Sequence, residues 1–585
     1  MFFVKTGQNG CPDQRCFAHS EVDAPAVLLP VPIACGLRAR PAADLPRPLR
    51  LRFLTGLRIR LGSVLRGIGL LRVHGFVLHS TIVCQNPPLD ALSPFMNESL
   101  AGLELTELLG WITLVAVALY PLLVVALGIR IVTSQRTSGG ALAWLFLLLL
   151  LPVAGPVLYL WFGESRIGRR RKTQAERNLD AYHAWVRQIP ADHKTVPEEL
   201  GPTVAGFARL VENTISVPAL TGNQLELIAS TGAMFDAIVD AINGATRFCF
   251  LEYYIWFEGG RADDVAAALM AAARRGVDCR VLVDAVGSSK FLGGRKASEM
   301  QAAGVRIRAC LAVGPVRMWF SRMDIRNHRK LVAVDSSLAI TGSLNMADPA
   351  WFKQDAGVGE WVDAITCIRG PVAGLLAGVF AWDWSVETGQ PLADLRISGD
   401  RPGSSPVQLI PSGPVPAGGT VRKPVLAGIY AAREELILTT PYFVPDESLI
   451  LALTSAAQRG VRTHLVLPRH VDSTLVRLAA RHYIDELLQA GVQVHLFGDG
   501  LLHTKSATVD GVSAFFGSLN LDMRSLWLNF ELSMAVYDSQ FTRALRELQM
   551  NYIERSDTVD VARFGNRSSV SRLAEAVARL FSPIL

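Results

Sequence analysis

The sequence predicts an α/β protein of two related halves that follow a membrane-anchoring helical hairpin. Three observations carry this. Strand-like apolar runs alternate with Ala/Leu-rich helical stretches from about Leu225 onward. A six-residue pattern occurs twice with the same internal spacing. Two uncharged stretches of 22 residues, 108–129 and 141–162, precede both copies.

The membrane segments come first in the chain. Each uncharged stretch is long enough to cross a bilayer, and a buried soluble helix seldom lacks charge over six turns. Trp111, Trp144, Tyr159 and Trp161 stand toward the ends, where amphipathic rings favour the headgroup region. The connection between the stretches offers Arg130 and Arg136. The exit of the second carries Arg166, Arg169, Arg170, Arg171, Lys172 and Arg177. The denser basic flank stays cytoplasmic, which predicts a multi-pass hairpin over 96–163 with everything after about Gly163 at the cytoplasmic surface of the membrane.

Composition bounds the rest. A chain of 585 residues exceeds one ordinary domain, and its apolar fraction of 50% suits a membrane protein. The net charge of +6 resides wholly in residues 1–95, so the remainder is neutral and lacks a general nucleic-acid footprint. That N-terminal extension mixes Arg and Pro without a secretory pattern, and Met96 opens the segment before the first span. The expectation is a disordered stretch or an over-extended reading frame. Cys11, Cys16, Cys35, Cys84, Cys249, Cys279, Cys310 and Cys367 form no C-x-x-C pair and no cluster with zinc spacing. The last four fall in or beside strand-like runs, so reduced buried thiols are expected, with no disulfide and no metal site. The predicted layout is a juxtamembrane connector over 164–224, a first domain over 225–397, a Gly/Pro/Asp-bearing linker over 398–406 and a second domain over 407–585.

The duplicated pattern carries the chemistry. His328, Lys330, Asp335, Gly342, Ser343 and Asn345 recur as His503, Lys505, Asp510, Gly517, Ser518 and Asn520, at offsets of 2, 7, 14, 15 and 17 from the histidine. On a strand, residues two apart share a face, so each histidine points with its lysine. If the halves pack about a pseudo-twofold axis, two histidines and two lysines converge on one phosphate-sized pocket. One neutral imidazole attacks as nucleophile while its charged partner donates a proton. Lys330, Lys505, Asn345 and Asn520 offer fixed donors to phosphoryl oxygens, without a metal or other cofactor. Asp335 and Asp510 belong to the same catalytic motif, but their odd offset and the following Ser336 and Gly511 favour a strand-end turn role. His464, His470, His482 and His495 lack a recurring partner pattern and are expected in packing or surface roles. Tyr442 and Phe443 are expected in the core, with a lipid entry as the alternative.

These residues resemble the phospholipase D superfamily. Asn327-His328-Arg329-Lys330, Thr439-Thr440-Pro441-Tyr442-Phe443-Val444-Pro445 and Leu521-Asp522-Met523-Arg524-Ser525, followed by Asn529-Phe530-Glu531, are similar to its bacterial cardiolipin synthase branch from the first span to the C-terminus. The resemblance implies two phospholipase D-type domains, each a mixed β-sheet flanked by helices. It implies Asp363 and Glu531 as acids that orient the histidines, His328 as nucleophile, and phosphatidylglycerol as a membrane partner without nucleic acid. The implied reaction makes cardiolipin and glycerol through a phosphatidyl-histidine. The nearest alternative is a phospholipase D or transphosphatidylase acting on phosphatidylethanolamine or another headgroup. A non-catalytic membrane scaffold is disfavoured by the two complete motifs, and the D-G-x-x-A-R signature of the cytidine-nucleotide route is not in this sequence.

Overall fold

The computed structural model describes residues 105–585 apart from 135–137, 165, 315–316, 318–320, 392–394, 415–420 and 583–585. The predicted extension over 1–95 and Arg136 lie outside the described residues. Helix α1, Leu105–Thr133, is apolar on every side and tolerates Pro121 in its interior. Among the described residues it is the one helix long and apolar enough to cross a membrane.

The second uncharged stretch departs from its expectation. It folds as two helices, α2 at Ser138–Leu150 and α3 at Ala154–Phe162, rather than as one span over 141–162. Pro152 cannot donate to the helical ladder and its ring crowds the preceding turn. At Gly155 a Cβ would stand 2.5 Å from the Leu147 carbonyl oxygen, so only glycine admits the close return of α3 onto α2. Tyr159 is buried with Leu127, Ile131 and Leu148. Its hydroxyl donates to Glu164 at 2.6 Å, and Glu164 also receives Arg130 at 2.7 Å.

The predicted connector is part of the catalytic body. Helix α4, Arg169–Arg187, packs on α5, Pro371–Thr388, and Arg171 grips Glu387 at 2.6 and 2.8 Å. The interior of α5 is buried over most of its length, and Phe380 stacks on Phe250 with centroids 4.7 Å apart.

Seven strands of the first half are repeated in order by seven of the second. They are β1 (Ala219–Ile228), β2 (Phe248–Tyr253), β3 (Asp278–Asp284), β4 (Arg306–Cys310), β5 (Lys330–Val334), β6 (Leu338–Gly342) and β7 (Ile365–Arg369). Their counterparts are β8 (Ser405–Ser412), β9 (Glu435–Thr439), β10 (Arg462–Pro468), β11 (Gln493–Phe497), β12 (Ser506–Val509), β13 (Ser513–Gly517) and β14 (Glu531–Val536). In space the order is β11, β10, β9, β12, β13, β14, β8, β1, β7, β6, β5, β2, β3, β4, the same sequence of counterparts read inward from each edge. Strands β2, β3 and β4 pair in parallel, as do β9, β10 and β11, while the inner strands are antiparallel. Each half is therefore a mixed sheet. The halves join where β1 meets β8, with Ser405 opposite Asn223 and Val407 opposite Leu220. Thus β8 begins inside the predicted linker over 398–406, and β1 begins ahead of the predicted boundary at 225.

Strands β2, β5 and β9 are buried at every position, which is why their apolar residues run consecutively rather than alternate. Cys249, Cys279 and Cys310 are free and buried in β2, β3 and β4, and Cys367 is free and half-buried in β7. The motif glycines serve the sheet. A Cβ at Gly342 would stand 2.4 Å from the Ala364 carbonyl oxygen, and one at Gly517 2.3 Å from that of Leu532.

Candidate active site

Both motif histidines sit on extended chain just ahead of a strand, His328 before β5 and His503 before β12. Each is fastened by its backbone to the opposite half. His328 N donates to the Phe530 carbonyl at 2.8 Å, and His503 N donates to the Val362 carbonyl at 2.8 Å. The short strand Trp361–Val362 of the first half pairs in parallel with Leu501–Leu502 of the second.

The side chains cross in the same way. Nδ1 of His328 meets Glu531 at 3.0 Å, and Nδ1 of His503 meets Asp363 at 2.6 Å. An ionised carboxylate only accepts, so Nδ1 carries the hydrogen and Nε2 keeps its lone pair in the neutral ring. The motif serines hold the carboxylates in turn. Ser343 Oγ donates to Asp363 at 2.6 Å, and Ser518 Oγ donates to Glu531 at 2.5 Å. Backbone N–H groups of Ala364 and Leu532 donate to those same hydroxyls at 3.0 and 2.9 Å.

His328, His503, Asn345 and Asn520 line one cleft of about 410 Å³ between the halves. Lys330 and Lys505 lie beneath it, each 2% exposed, with Nζ donating to the carbonyl of its own motif histidine. Their placement sets two amines under the floor. Arg326 and Arg524 line the walls, the first held by Asp284 at 3.2 Å and the second by the Asp324 carbonyl. Lys353 and Asp472 bridge the halves at 2.9 Å, and the Tyr442 hydroxyl donates to the same carboxylate at 2.9 Å.

Burial governs the protonation of these groups. It pushes the His328 imidazole down to about 4 against the opposing pull of Glu531, and His503 down to about 3 against that of Asp363. Burial also lowers Lys330 to about 8 and takes Lys505 well below the usual lysine range. For Asp363 and Glu531, burial acts upward, but the paired histidines and the neighbouring lysines and serines outweigh it and hold both carboxylates below their ordinary values. Two neutral imidazoles thus share one cleft with ionised carboxylates behind them.

Asp335 and Asp510 stand outside the cleft, which corrects their assignment to the chemistry. Asp335 accepts from the backbone N–H groups of Thr246, Arg247 and Phe248 and from the Thr246 hydroxyl, at 2.7 to 2.9 Å. Asp510 accepts from the N–H groups of Arg433, Glu434 and Glu435, at 2.8 to 3.1 Å. Both take left-handed backbone, φ 51° and 53°, which Asp tolerates better than most residues. They tie the β5–β6 and β12–β13 turns to the starts of β2 and β9.

Among the other histidines, His464 and His495 face each other at 3.1 Å from adjacent strands, away from the cleft. Tyr442 lines the cleft, whereas Phe443 is buried in the core. The sequence reading passed over Arg326, Arg524, Tyr254 and Trp361. The last two place aromatic rings against the motif histidines, with centroids 5.2 Å from His328 and 4.3 Å from His503. Ser343 and Ser518 belonged to the repeat but had no role assigned, and their identical offset was the available signal. Among the described residues no group of three or more His, Cys, Asp and Glu side chains is arranged to hold a metal.

Two outcomes follow from this geometry. Asp510→Ala is expected to cost about 1–2 kcal/mol of stability by removing the acceptor of three backbone donors at the turn, while activity per folded molecule stays within about tenfold of the parent, since the group does not line the cleft. Thermal unfolding in detergent beside a rate assay checks both. A complete loss of rate in a fully folded variant would return this carboxylate to the chemistry. The second outcome concerns Lys330, whose pKa falls from 10.5 to about 8 on folding. The fold penalises its charge fully below pH 8, and the penalty fades as pH rises to 10.5. Lys330→Met is therefore expected to abolish activity yet gain about 1–3 kcal/mol of stability at pH 7, the gain shrinking through that window. A lowered unfolding midpoint at pH 7 contradicts it.

Comparison with known proteins agrees with the duplicated architecture. A family model described as "Cardiolipin synthase, PLD-like domain" matches residues 238–366 and 425–551. One described as "Phospholipase D-nuclease N-terminal" matches 122–164. Cardiolipin synthase A of Erwinia tasmaniensis is 40% identical over 471 residues, 80% of this chain and 97% of that protein. The same protein of Serratia proteamaculans is 40% identical with the same coverage. Among solved structures, phosphatidylserine synthase of Haemophilus influenzae Rd KW20 matches 65% of this chain and all of that one, at 14% identity and a TM-score of 0.49. With two matched phospholipase D-like repeats and relatives aligned over nearly their whole length, this chain belongs to the cardiolipin synthase family.

Proposed function

We propose that the chain joins two phosphatidylglycerol molecules into cardiolipin and glycerol, at the cytoplasmic face of a bacterial inner membrane. The observation that carries this reading is the crossed pair of histidines, each with Nδ1 engaged by a carboxylate of the other half and both lining one cleft. Nε2 of neutral His328 attacks the phosphorus of the first lipid, forming a P–N bond as the P–O bond to the headgroup glycerol breaks. His503, protonated in the substrate complex, gives its proton to the departing alkoxide. The terminal hydroxyl of the second lipid then attacks, passing its proton back to His503 as the P–N bond breaks. One phosphodiester replaces another, so no nucleotide is consumed.

The low pKa values suit this cycle. A phosphodiester anion entering the cleft sets negative charge against both rings and raises them from about 4 and 3, which makes proton donation by His503 conditional on bound substrate. The buried Lys330 and Lys505, with Asn345 and Asn520, stabilise the charge that builds on the phosphoryl oxygens. Asp363 and Glu531 set the tautomers and stabilise the charged ring. Helix α1 crosses the membrane, and the basic run Arg169, Arg170, Arg171 and Lys172 keeps the body on the cytoplasmic side.

Purified protein given headgroup-labelled phosphatidylglycerol is expected to release one labelled glycerol for each cardiolipin, as read by mass, with activity surviving exhaustive chelation. His328→Ala and His503→Ala are each expected to lose at least about 10³-fold in net synthesis. Phosphatidic acid as the only product would identify a hydrolase instead. Cardiolipin formed only when phosphatidylethanolamine is added, with ethanolamine released, would change the donor and keep the site.

A further inference from the structure

The stretch 141–162 has the composition of a membrane span and the path of a hairpin. Helix α2 retraces the end of α1, with Leu145 3.7 Å from the Cβ position of Gly128 and Leu148 clustered with Leu127 and Ile131. The chain then reverses around Pro152. Helix α3 returns along α2, bringing Tyr159 edge-on to Trp144 with centroids 5.4 Å apart. It ends at Phe162, two residues before Glu164, whose carboxylate binds Arg130 in the last turn of α1. The segment therefore enters and leaves at the same end of α1.

Length agrees with the path. The 13 residues of α2 rise about 20 Å and the 9 of α3 about 14 Å, each short of the roughly 30 Å hydrocarbon core that the 29-residue α1 exceeds. The outer surface of the hairpin is apolar, with Phe146, Leu149, Leu150 and Val153 exposed by 66, 71, 61 and 76%. The bend is fit for lipid because Pro152 and Pro156 bring no N–H to it. Leu151 N to Leu147 O at 3.0 Å and Gly155 N to Leu151 O at 2.7 Å carry hydrogen bonding through the turn.

Charge gives a second, independent line. Arg130, bound to Glu164, lies at the same end of the hairpin as the exit that carries Arg166, Arg169, Arg170, Arg171 and Lys172, and Arg136 follows Arg130 in the sequence before α2 begins. A path that crosses twice exports Arg130 and Arg136. A path that crosses once keeps every one of these cations on one side, as the bias of cytoplasmic flanks requires.

We propose that α2 and α3 form a re-entrant hairpin seated among the acyl chains of the single leaflet that faces the catalytic halves, without crossing to the other side. Its exit fastens that leaflet to the active site. Ile167 packs with Ile325 and Phe530, whose sequence neighbours Arg326 and Asn529 line the cleft. Lipids of the same leaflet then reach the cleft beside the hairpin. This surface does not depend on which headgroup is transferred.

The test places single cysteines in the full-length protein in sealed vesicles of known orientation and reads labelling by a membrane-impermeant maleimide above the parent background. Gly139→Cys, whose Cβ meets nothing within 4 Å, probes the turn between α1 and α2, and exposed Val512→Cys marks the catalytic side. Gly139→Cys is expected to label in the orientation in which Val512→Cys labels, and to be silent in the other until detergent is added. Thr133→Cys carries the same expectation and guards against misfolding of one variant. Labelling of both turn positions only from the side opposite Val512→Cys overturns the proposal, as does protection of both in either orientation.

Discussion

Two hydrogen bonds that run between the halves, His503 to Asp363 at 2.6 Å and His328 to Glu531 at 3.0 Å, are the constraint on which the rest depends. Neither half holds a complete site, because each supplies the ring that the other orients. The central β1–β8 pairing and the exchanged strand at 361–362 are therefore catalytic scaffolding as much as fold. Arg329 reinforces the joint from beneath. Its guanidinium donates to Asp383, to the Glu531 carbonyl at 3.2 Å and to the Ser412 carbonyl at 3.1 Å, all buried. A cation so enclosed is tolerated only while every partner stays in place, which makes the interface between the halves intolerant of slippage.

The same burial sets the chemistry. Taking two imidazoles and two lysines out of water keeps the rings neutral and lowers the lysines, at a cost in folding free energy that an apolar site would not bear. In the mechanism proposed above, the same burial presents preorganised donors to a phosphodiester and two rings whose protonation answers to bound negative charge. The membrane segment completes the arrangement by fastening its exit at Ile167 to the wall that bears Arg326 and Asn529.

Much of this was legible in the sequence, for identifiable reasons. Strands such as β5 and β9 were legible as strand-like apolar runs because a strand buried on both faces carries consecutive apolar residues rather than an alternation. The duplication made the paired histidines and the sheet symmetry readable, since identical offsets rarely arise by accident. The crossed pairing was not readable from pattern alone, because Asp363 and Glu531 lie outside the repeated offsets and meet their histidines only through the fold. Arg326 and Arg524 had no role assigned because they belong to no repeat, Arg524 standing only within a family-like run. The break of the second uncharged stretch into two helices was not legible from apolar length, which ignores what Pro152 and Gly155 do to a helix. Asp335 and Asp510 travel with the catalytic motif because the turn they hold positions its strands.

The central claim is that each carboxylate serves the histidine of the other half, Glu531 the attacking ring and Asp363 the proton-transferring ring. Its most direct test is the dependence of the covalent step on leaving-group acidity, measured by rapid acid quench with lipids of graded headgroup pKa. Asp363→Asn is expected to steepen that dependence, with an activated leaving group restoring the rate, because only proton donation is impaired. Glu531→Gln is expected to slow every substrate by a similar factor. The reverse pattern, or equal behaviour of the two variants, would contradict the crossed assignment.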